Sequence, residues 1–200
     1  MERMTAMQID RRGFVAGAAA LGATAALPLR AAAATSGDAA AMALLDRHAE
    51  ALLTTYPEQA AFLGIDTGKR AALKSMLSDH SIAGEARRKA DAARRLSELR
   101  AIDLTHLSPT VTTHVETATV AHEIALDGWR RMPVGDMAFL SANGYRSTPY
   151  VVSQGNGAFV DVPDLLENKH QIATSADAEA YLARMRAYAK ELRDETERVK

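Results

Sequence analysis

The sequence predicts a mainly α-helical protein, a helical bundle, and three observations carry that prediction. Apolar residues make up 48% of the chain but aromatic residues only 5%, so that alanine supplies much of the apolar content. This composition favours closely packed helices over a sheet-rich core. Apolar residues also recur at spacings of three and four, and helix-start signals precede several of these segments. We expect residues 35–200 to be the helical part of a larger all-α domain.

Charge and cysteine content restrict the function. The formal net charge is −1, which argues against a nucleic-acid-binding surface. The chain has no cysteine, so disulfides, thiolate nucleophiles and cysteine-based zinc sites are excluded.

The first residues resemble a twin-arginine export signal. Arg11 and Arg12 are followed by Phe14 and by an uncharged run over residues 15–29, with Asp10 where Ser or Thr is commoner. The run is shorter than the roughly 20 apolar residues that a membrane span needs. A frayed N-terminal helix and a retained anchor are the alternative interpretations.

Cleavage chemistry supports the export interpretation. Small residues occupy positions 31–34, directly after Arg30, and small residues at this place are typical of a signal cleavage site. We therefore predict a twin-arginine-type signal peptide over residues 1–34, removed near Ala33 or Ala34. The mature chain would be periplasmic or secreted, would use the twin-arginine export machinery, and would have no stable membrane span.

Capping residues and periodicity predict where the helices begin and end. Ser81 and Ser108-Pro109 are start signals, and Thr174 with Asp177 forms a capping box. The predicted helices cover residues 38–56, 57–63, 69–77, 82–100, 109–131 and 164–168, with a last helix that reaches Lys200.

The same periodicity predicts which faces are buried. In the 82–100 helix we expect alanines and leucines to face inward and the arginines to form a solvated face. In the last helix we expect an apolar inner face. The residues predicted to face inward are Ala86, Ala90, Ala93, Leu96 and Leu99 in the first case, and Tyr181, Leu182, Met185, Ala189, Leu192, Thr196 and Val199 in the second.

One histidine falls inside an apolar stripe. His122 shares a face of the 109–131 helix with Val115, Ala125 and Trp129. The zinc motif His-Glu-x-x-His is absent here, because Leu126 stands where its second histidine would be. His122 is therefore interpreted either as a hydrogen-bonded core histidine or as a residue that lines a substrate cleft.

The segment near residues 148–162 lacks helical periodicity. Two short β-prone runs, Tyr150–Val152 and Ala158–Val162, flank Gly155-Asn156-Gly157. This pattern predicts a short β-hairpin or extended segment. The alternative is an ordered loop that crosses the bundle.

Ordered short segments across the chain resemble a bacterial family known as domain of unknown function 885. The matching segments are Tyr56-Pro57-Glu58-Gln59-Ala60, Phe62-Leu63-Gly64, Ser147 to Gln154, Gly157-Ala158-Phe159, Val162 to Leu166 and Ala176 to Met185. Gln171 departs from the family pattern, which usually has proline after the histidine that corresponds to His170.

The resemblance implies a zinc-dependent enzyme. Members of this family are mainly α-helical, several hundred residues long, and similar to zinc metallopeptidases of the gluzincin type. The zinc ligands and the general-base glutamate of such enzymes match no position here, so the resemblance assigns no catalytic or metal-binding residue to this chain. By analogy, Tyr150, Ser153 and Gln154 would help to bind a peptide substrate in the full-length protein.

Two functional hypotheses follow. In the first, the chain is an N-terminal fragment of an exported zinc-dependent peptidase-like protein, inactive alone, with zinc bound elsewhere in the full-length protein. In the second, it is a non-catalytic periplasmic helical module for binding or interaction. The last helix reaches Lys200 with no glycine, proline or cap, so we expect the chain to continue.

Overall fold

The computed structural model describes residues 36–133 and 150–200, and the helical prediction is confirmed there. The predicted signal peptide and most of the connector before Tyr150 lie outside these ranges. Within them no helix is long and apolar enough to cross a membrane. The α-helices are α1 (Ser36–Thr55), α2 (Pro57–Phe62), α3 (Ile82–Arg100), α4 (Pro109–Arg131), α5 (Ala158–Asn168) and α6 (Ser175–Arg198). Two 3₁₀ helices cover Gly68–Ser75 and Leu104–His106.

Helix starts follow the predicted capping residues, with one difference. The Ser81 hydroxyl accepts the Gly84 N–H (3.0 Å) at the start of α3. The capping box of α6 is also present, since Thr174 and Asp177 each accept the other's backbone N–H. Ser108 precedes α4 but makes no side-chain cap. Its backbone N–H instead donates to Asp38 Oδ1 (2.8 Å), which ties the start of α4 to α1.

The hydrophobic core lies mainly between α3 and α4, which pack along each other. Helix α1 joins this core through Ala41, and α2 packs on the first 3₁₀ helix. Three clusters of buried apolar residues result: Ala41 with Leu99, Val111 and Val115; Ala92 with Ala125 and Trp129; and Leu53 with Ala60 and Leu73. None of these residues belongs to α6.

Helix α3 buries a different face from the predicted one. Leu96 and Leu99 are buried as expected, but the three predicted alanines are exposed. The buried face instead runs through Gly84, Arg88, Ala92, Arg95, Leu96 and Leu99. Gly84 shows why: a Cβ at this position would overlap the Asp79 carbonyl oxygen. The absence of a side chain at Gly84 lets the Asp79 carbonyl approach α3, and this carbonyl accepts a hydrogen bond from Arg88 on the same face.

The predicted hairpin is wrong in its second half. Residues from Ala158 onward form α5, and Pro163 lies inside this helix rather than opening it. In the described part of the segment, the β-type pairing is a single isolated bridge between Ser153 and Asn156. The β-prone run at Ala158 is overridden by tertiary context, because the Ala158 N–H is bound by a buried carboxylate of α6.

The predicted inner face of α6 is also wrong. The buried residues of this helix are Arg184, Glu191 and Glu195. Leucine and methionine of the apolar stripe remain exposed, with Met185 at 50% and Leu182 at 42%. Tyr181 is half-buried and packs edge-on against the His170 ring, at 5.3 Å between centroids. Helix α6 meets the first 3₁₀ helix, α5 and α3, and its partners there are largely polar groups.

Candidate functional site

Residues 150–157 form a tight turn, which we call the turn segment. Ser153 and Asn156 exchange backbone hydrogen bonds of 3.1 and 3.3 Å. Asn156 is only 2% exposed. Its side-chain amide donates to the Val151 carbonyl (3.2 Å), and the Ser153 hydroxyl contacts its Oδ1. Asn156, which the sequence did not single out, therefore holds the shape of the turn.

The predicted substrate-binding residues occupy different environments in this turn. Tyr150 is 64% exposed, and Gln154 is exposed as well. Ser153 is half-buried, and its hydroxyl is engaged with Asn156 inside the turn. The turn segment therefore presents a phenol and an amide at the surface, while the serine contributes to the conformation of the turn.

A buried carboxylate anchors the turn segment to α6. Glu195 is 2% exposed, and its Oε2 accepts the Ala158 N–H (2.8 Å) at the first residue of α5. A carboxylate is favourable at this place because the N-terminus of a helix carries partial positive charge.

Gly157 makes the approach of Glu195 possible. It has a φ of 122°, in the region that favours glycine. A Cβ at Gly157 would lie 3.3 Å from Glu195 Oε2, Phe159 Cδ1 and Val152 Cγ1. Any side chain here would therefore both strain the backbone and crowd the anchor.

A buried arginine ties α6 to the first 3₁₀ helix. The Arg184 side chain is completely buried, and burial lowers its pKa. Its Nε donates to the Met76 carbonyl (3.0 Å) and its Nη2 to the Leu73 carbonyl (3.2 Å). Its Nη1 donates to His170 Nδ1 (3.0 Å), while His170 Nε2 donates to the Asp177 carbonyl (2.9 Å). Because an arginine can only donate, His170 accepts at Nδ1 and donates at Nε2.

A second arginine–histidine pair lies between α3 and α4. Arg95 is 2% exposed, and its Nε donates to His122 Nε2 (3.1 Å). His122 Nδ1 donates to the Ala118 carbonyl (2.7 Å). Burial lowers the pKa of His122 and that of Arg95. Of the two interpretations of His122, the structure supports the core histidine, since it is 2% exposed with both ring nitrogens engaged.

A buried carboxyl group lies near the middle of α6. Glu191 is 4% exposed, and burial, with a smaller contribution from the Glu58 carboxylate, raises its pKa to about 8. Its Oε2 has no hydrogen-bond partner among the described residues. Both oxygens of Glu58 accept hydrogen bonds from Ser78, one from the backbone N–H and one from the hydroxyl, each at 2.6 Å. Among the ionisable groups of α6, Glu191 therefore has the least hydrogen bonding to offset the cost of its burial.

These residues do not fit the zinc site that the resemblance implies for the full-length protein. In residues 36–133 and 150–200 no group of three or more potential ligand side chains could hold a metal ion. His122 Nε2, the nitrogen that a metal would need, already accepts from Arg95. Instead, Arg95, Arg184 and Glu195 use their buried polar groups to connect helices to each other.

Sequence reasoning missed the residues that build this region, namely Asn156, Arg184 and Glu195. A single sequence offers little signal for them, because arginine and glutamate are abundant in α6 and most of them are exposed. The one available signal is spacing. Arg184, Glu191 and Glu195 are separated by seven and four residues, which is the repeat of one helix face.

The described structure thus defines an all-α protein with buried arginine–histidine pairs and an anchored surface turn. The family model described as bacterial protein of unknown function (DUF885) matches residues 57–200, and the chain belongs to this family. The match includes the turn segment and all of α6. Neither the curated proteins nor the solved structures yield a match to this chain.

Proposed function

We propose that this chain is the N-terminal helical part of an exported, zinc-dependent peptidase-like protein. The observation that carries the proposal is the family match over residues 57–200. The zinc-dependent peptidase activity is what the resemblance given above implies. In this proposal the zinc ligands and the general base belong to residues outside this sequence. The chain alone would therefore bind no catalytic zinc and hydrolyse no peptide.

The turn segment would contribute to peptide binding in the full-length protein. Binding residues are commonly carried on loops that a rigid scaffold holds in place. The turn segment meets this condition through Asn156 inside it and Glu195 behind it. Tyr150 and Gln154 are exposed at its surface and offer groups that can donate to, or accept from, the backbone of an extended peptide.

The substrate-binding role is tested in the protein encoded by the complete open reading frame. We expect the purified protein to contain zinc and to hydrolyse a peptide library. Tyr150→Ala and Gln154→Ala should each raise KM about fivefold, the effect of losing roughly 1 kcal/mol of hydrogen bonding, with kcat unchanged. Gln171→Ala is the matched control, because Gln171 is also exposed but lies outside the turn segment. An unchanged KM in both turn variants would remove the turn segment from the proposal.

Export through the twin-arginine machinery is part of the same proposal, and residues 1–34 carry it. Replacing both Arg11 and Arg12 by lysine should keep the protein in the cytoplasm. Protein recovered from the periplasm should begin directly after Ala33 or Ala34, as read by N-terminal sequencing. Periplasmic protein that still begins at Met1 would contradict the signal-peptide assignment.

A non-catalytic periplasmic module for binding or interaction is the second candidate. The exposed apolar stripe of α6 favours it, because large apolar side chains in a contiguous exposed patch mark interaction surfaces. The complete protein distinguishes the two candidates. Bound zinc and peptide hydrolysis favour the peptidase, whereas the absence of both favours the module.

A further inference from the structure

The exposed stripe of α6 has the spacing of a coiled-coil seam. Its positions alternate steps of three and four residues, which is the heptad repeat of a helix packed against another helix. The stripe consists of Leu182, Met185, Ala189, Leu192, Thr196 and Val199, all exposed. The four large side chains are between 37% and 58% exposed. The seam is therefore patterned for a helix but is uncovered by the described residues.

One flank of this seam is open, and most of its charges are basic. Arg186 and Arg193 are seven residues apart on α6, and both are exposed on the side away from the core. Glu179 is the acidic residue at the start of the same row. The other flank is turned inward, since Tyr181 and Tyr188 are half-buried and Glu195 is buried. Only the basic flank can therefore select a partner by charge.

A second copy of this chain is disfavoured at the seam. Consider an antiparallel pair of α6 helices in which Ala189 of each copy lies opposite Leu192 of the other. In this pair Arg186 of each copy would lie beside Arg193 of the other, so two pairs of like charges would meet. Like charges opposed across an interface are unfavourable. In a parallel pair of α6 helices, these arginines would lie opposite the half-buried tyrosines of the other copy. No pair of opposite charges would then align the two helices. The charge row instead complements a helix whose flank is acidic.

We propose that this stripe, residues 182–199, is the docking face for an amphipathic helix from the remainder of the longer polypeptide. That helix carries an apolar seam and acidic residues opposite Arg186 and Arg193. The inference rests on the proposed function, which makes this chain one part of a longer protein. In this proposal the exposed apolar face of α6 forms an interface inside the complete protein. The neighbouring face of α6, which is buried and charged, contacts the first 3₁₀ helix and α5.

The first test uses the 200-residue chain and two synthetic helical peptides. Both peptides carry leucine at heptad seam positions; one has glutamate and the other lysine on its flanks. We expect the glutamate peptide to bind at least about tenfold more tightly, because only its charges oppose the basic row. The double variant Arg186→Glu, Arg193→Glu should reverse the preference. Equal binding of the two peptides, or no binding of either, overturns the proposal.

The second test uses thiol protection, because this chain has no cysteine of its own. Leu192→Cys and, as a control outside the stripe, Glu197→Cys are introduced into the 200-residue chain and into the complete protein. Maleimide labelling of Cys at position 192 should slow at least about tenfold in the complete protein, while labelling at position 197 is similar in both. Equal labelling at position 192 in the two proteins overturns the proposal.

Analytical ultracentrifugation of the 200-residue chain completes the test. We expect a monomer; a dimer that Leu192→Glu dissociates would assign the stripe to a second copy and overturn the proposal. Zinc content and peptide hydrolysis are measured on the same complete protein. If both are absent while position 192 is protected, the proposed function fails and the docking face stands. If zinc and hydrolysis are both present while position 192 labels freely, the proposed function stands and the docking face is overturned.

Discussion

Helices α4 and α6 are nearly equal in length, at 23 and 24 residues, and both carry an apolar stripe, yet they bury opposite kinds of face. Helix α4 turns its stripe inward, with Val115 and Trp129 at 2% and 4% exposure. Helix α6 turns its stripe outward and buries Arg184, Glu191 and Glu195 instead. The two helices show that an apolar stripe identifies a face that can pack, but not the neighbour that it packs against.

The neighbours explain the difference. Helix α4 lies beside α3, whose Ala92 and Leu99 are apolar and match its stripe. Helix α6 lies beside the end of the first 3₁₀ helix, where Arg184 donates to the Leu73 and Met76 carbonyls. The Leu73 carbonyl also accepts the Met76 N–H, so Arg184 adds a second donor there. A polar group inside the protein that loses its hydrogen-bond partner is costly. Helix α6 therefore buries its polar face and leaves Leu182, Met185 and Leu192 exposed.

Removing the largest side chain of the α4 stripe should have the largest effect. Trp129→Ala is expected to lower the free energy of unfolding by about 3–5 kcal/mol, since it leaves a cavity and removes the indole donor to Glu85. Met185→Ala on α6 is the control and should change stability by less than about 0.5 kcal/mol. Urea unfolding followed by circular dichroism measures both. Similar losses in the two variants would show that the stripes are equivalent.

The charged face of α6 is tested next at its most buried residue. Arg184→Met should lower the free energy of unfolding by about 3 kcal/mol, because the Met76 carbonyl and His170 Nδ1 lose this donor and the Leu73 carbonyl loses one of its two. Arg186→Met, two residues along on the exposed side, serves as the control and should be nearly neutral. If both arginine variants unfold at the same urea concentration, the buried face of α6 contributes little to stability.

Replacing Glu191 should raise the stability rather than lower it, because the folded-state pKa of Glu191, about 8, lies above the value of 4.5 for the unfolded chain. The folded state then holds the proton more tightly, so this contribution is fully present below pH 4.5 and is lost as the pH rises towards 8. Glu191→Gln should therefore stabilise the protein at pH 8 by about 1–2 kcal/mol and flatten this dependence. Glu197→Gln, at an exposed site, should leave the dependence unchanged.

The pH dependence of stability that His122 causes should be the smallest of these effects. Its sign should be opposite to that of Glu191. Burial lowers its folded-state pKa below 6.5, so the unfolded chain takes up a proton first as the pH falls. Its contribution to stability is present above pH 6.5 and is lost as the pH falls below that value, down to its folded-state pKa. An NMR titration of the imidazole signals checks this, with the exposed His106 as reference. A His122 signal that titrates together with His106 would contradict the buried arginine–histidine pair.

Local signals were sufficient for much of the fold. Ser81, Pro109 and the Thr174–Asp177 box predicted three helix starts within one residue, because capping depends on nearby backbone groups. The buried face of α4 could be predicted, because its apolar stripe has an apolar neighbour. The buried faces of α3 and α6 could not be predicted. Buried Arg95 of α3 donates to His122, and Arg184 of α6 donates to the Leu73 and Met76 carbonyls. These partners are distant along the chain.

The candidate site divides in the same way. The sequence singled out Tyr150, Ser153 and Gln154 by a family resemblance, and the family itself is confirmed. Asn156 was placed in the predicted Gly155-Asn156-Gly157 turn, but not as a residue whose side chain holds that turn. Glu195, which binds the start of α5, could not be recognised because it is 37 residues from Ala158 in the chain.

The sequence by itself determined the helical class, the starts of α3, α4 and α6, and the family, because composition, capping and ordered segments are properties of neighbouring residues. Tertiary structure alone decided which face α3 and α6 bury, that Ala158 begins a helix rather than a strand, and that arginines and glutamates of α3 and α6 point inward. The physical reason is that a buried polar group is stable only beside its hydrogen-bond partner. In this protein those partners are brought together by the fold.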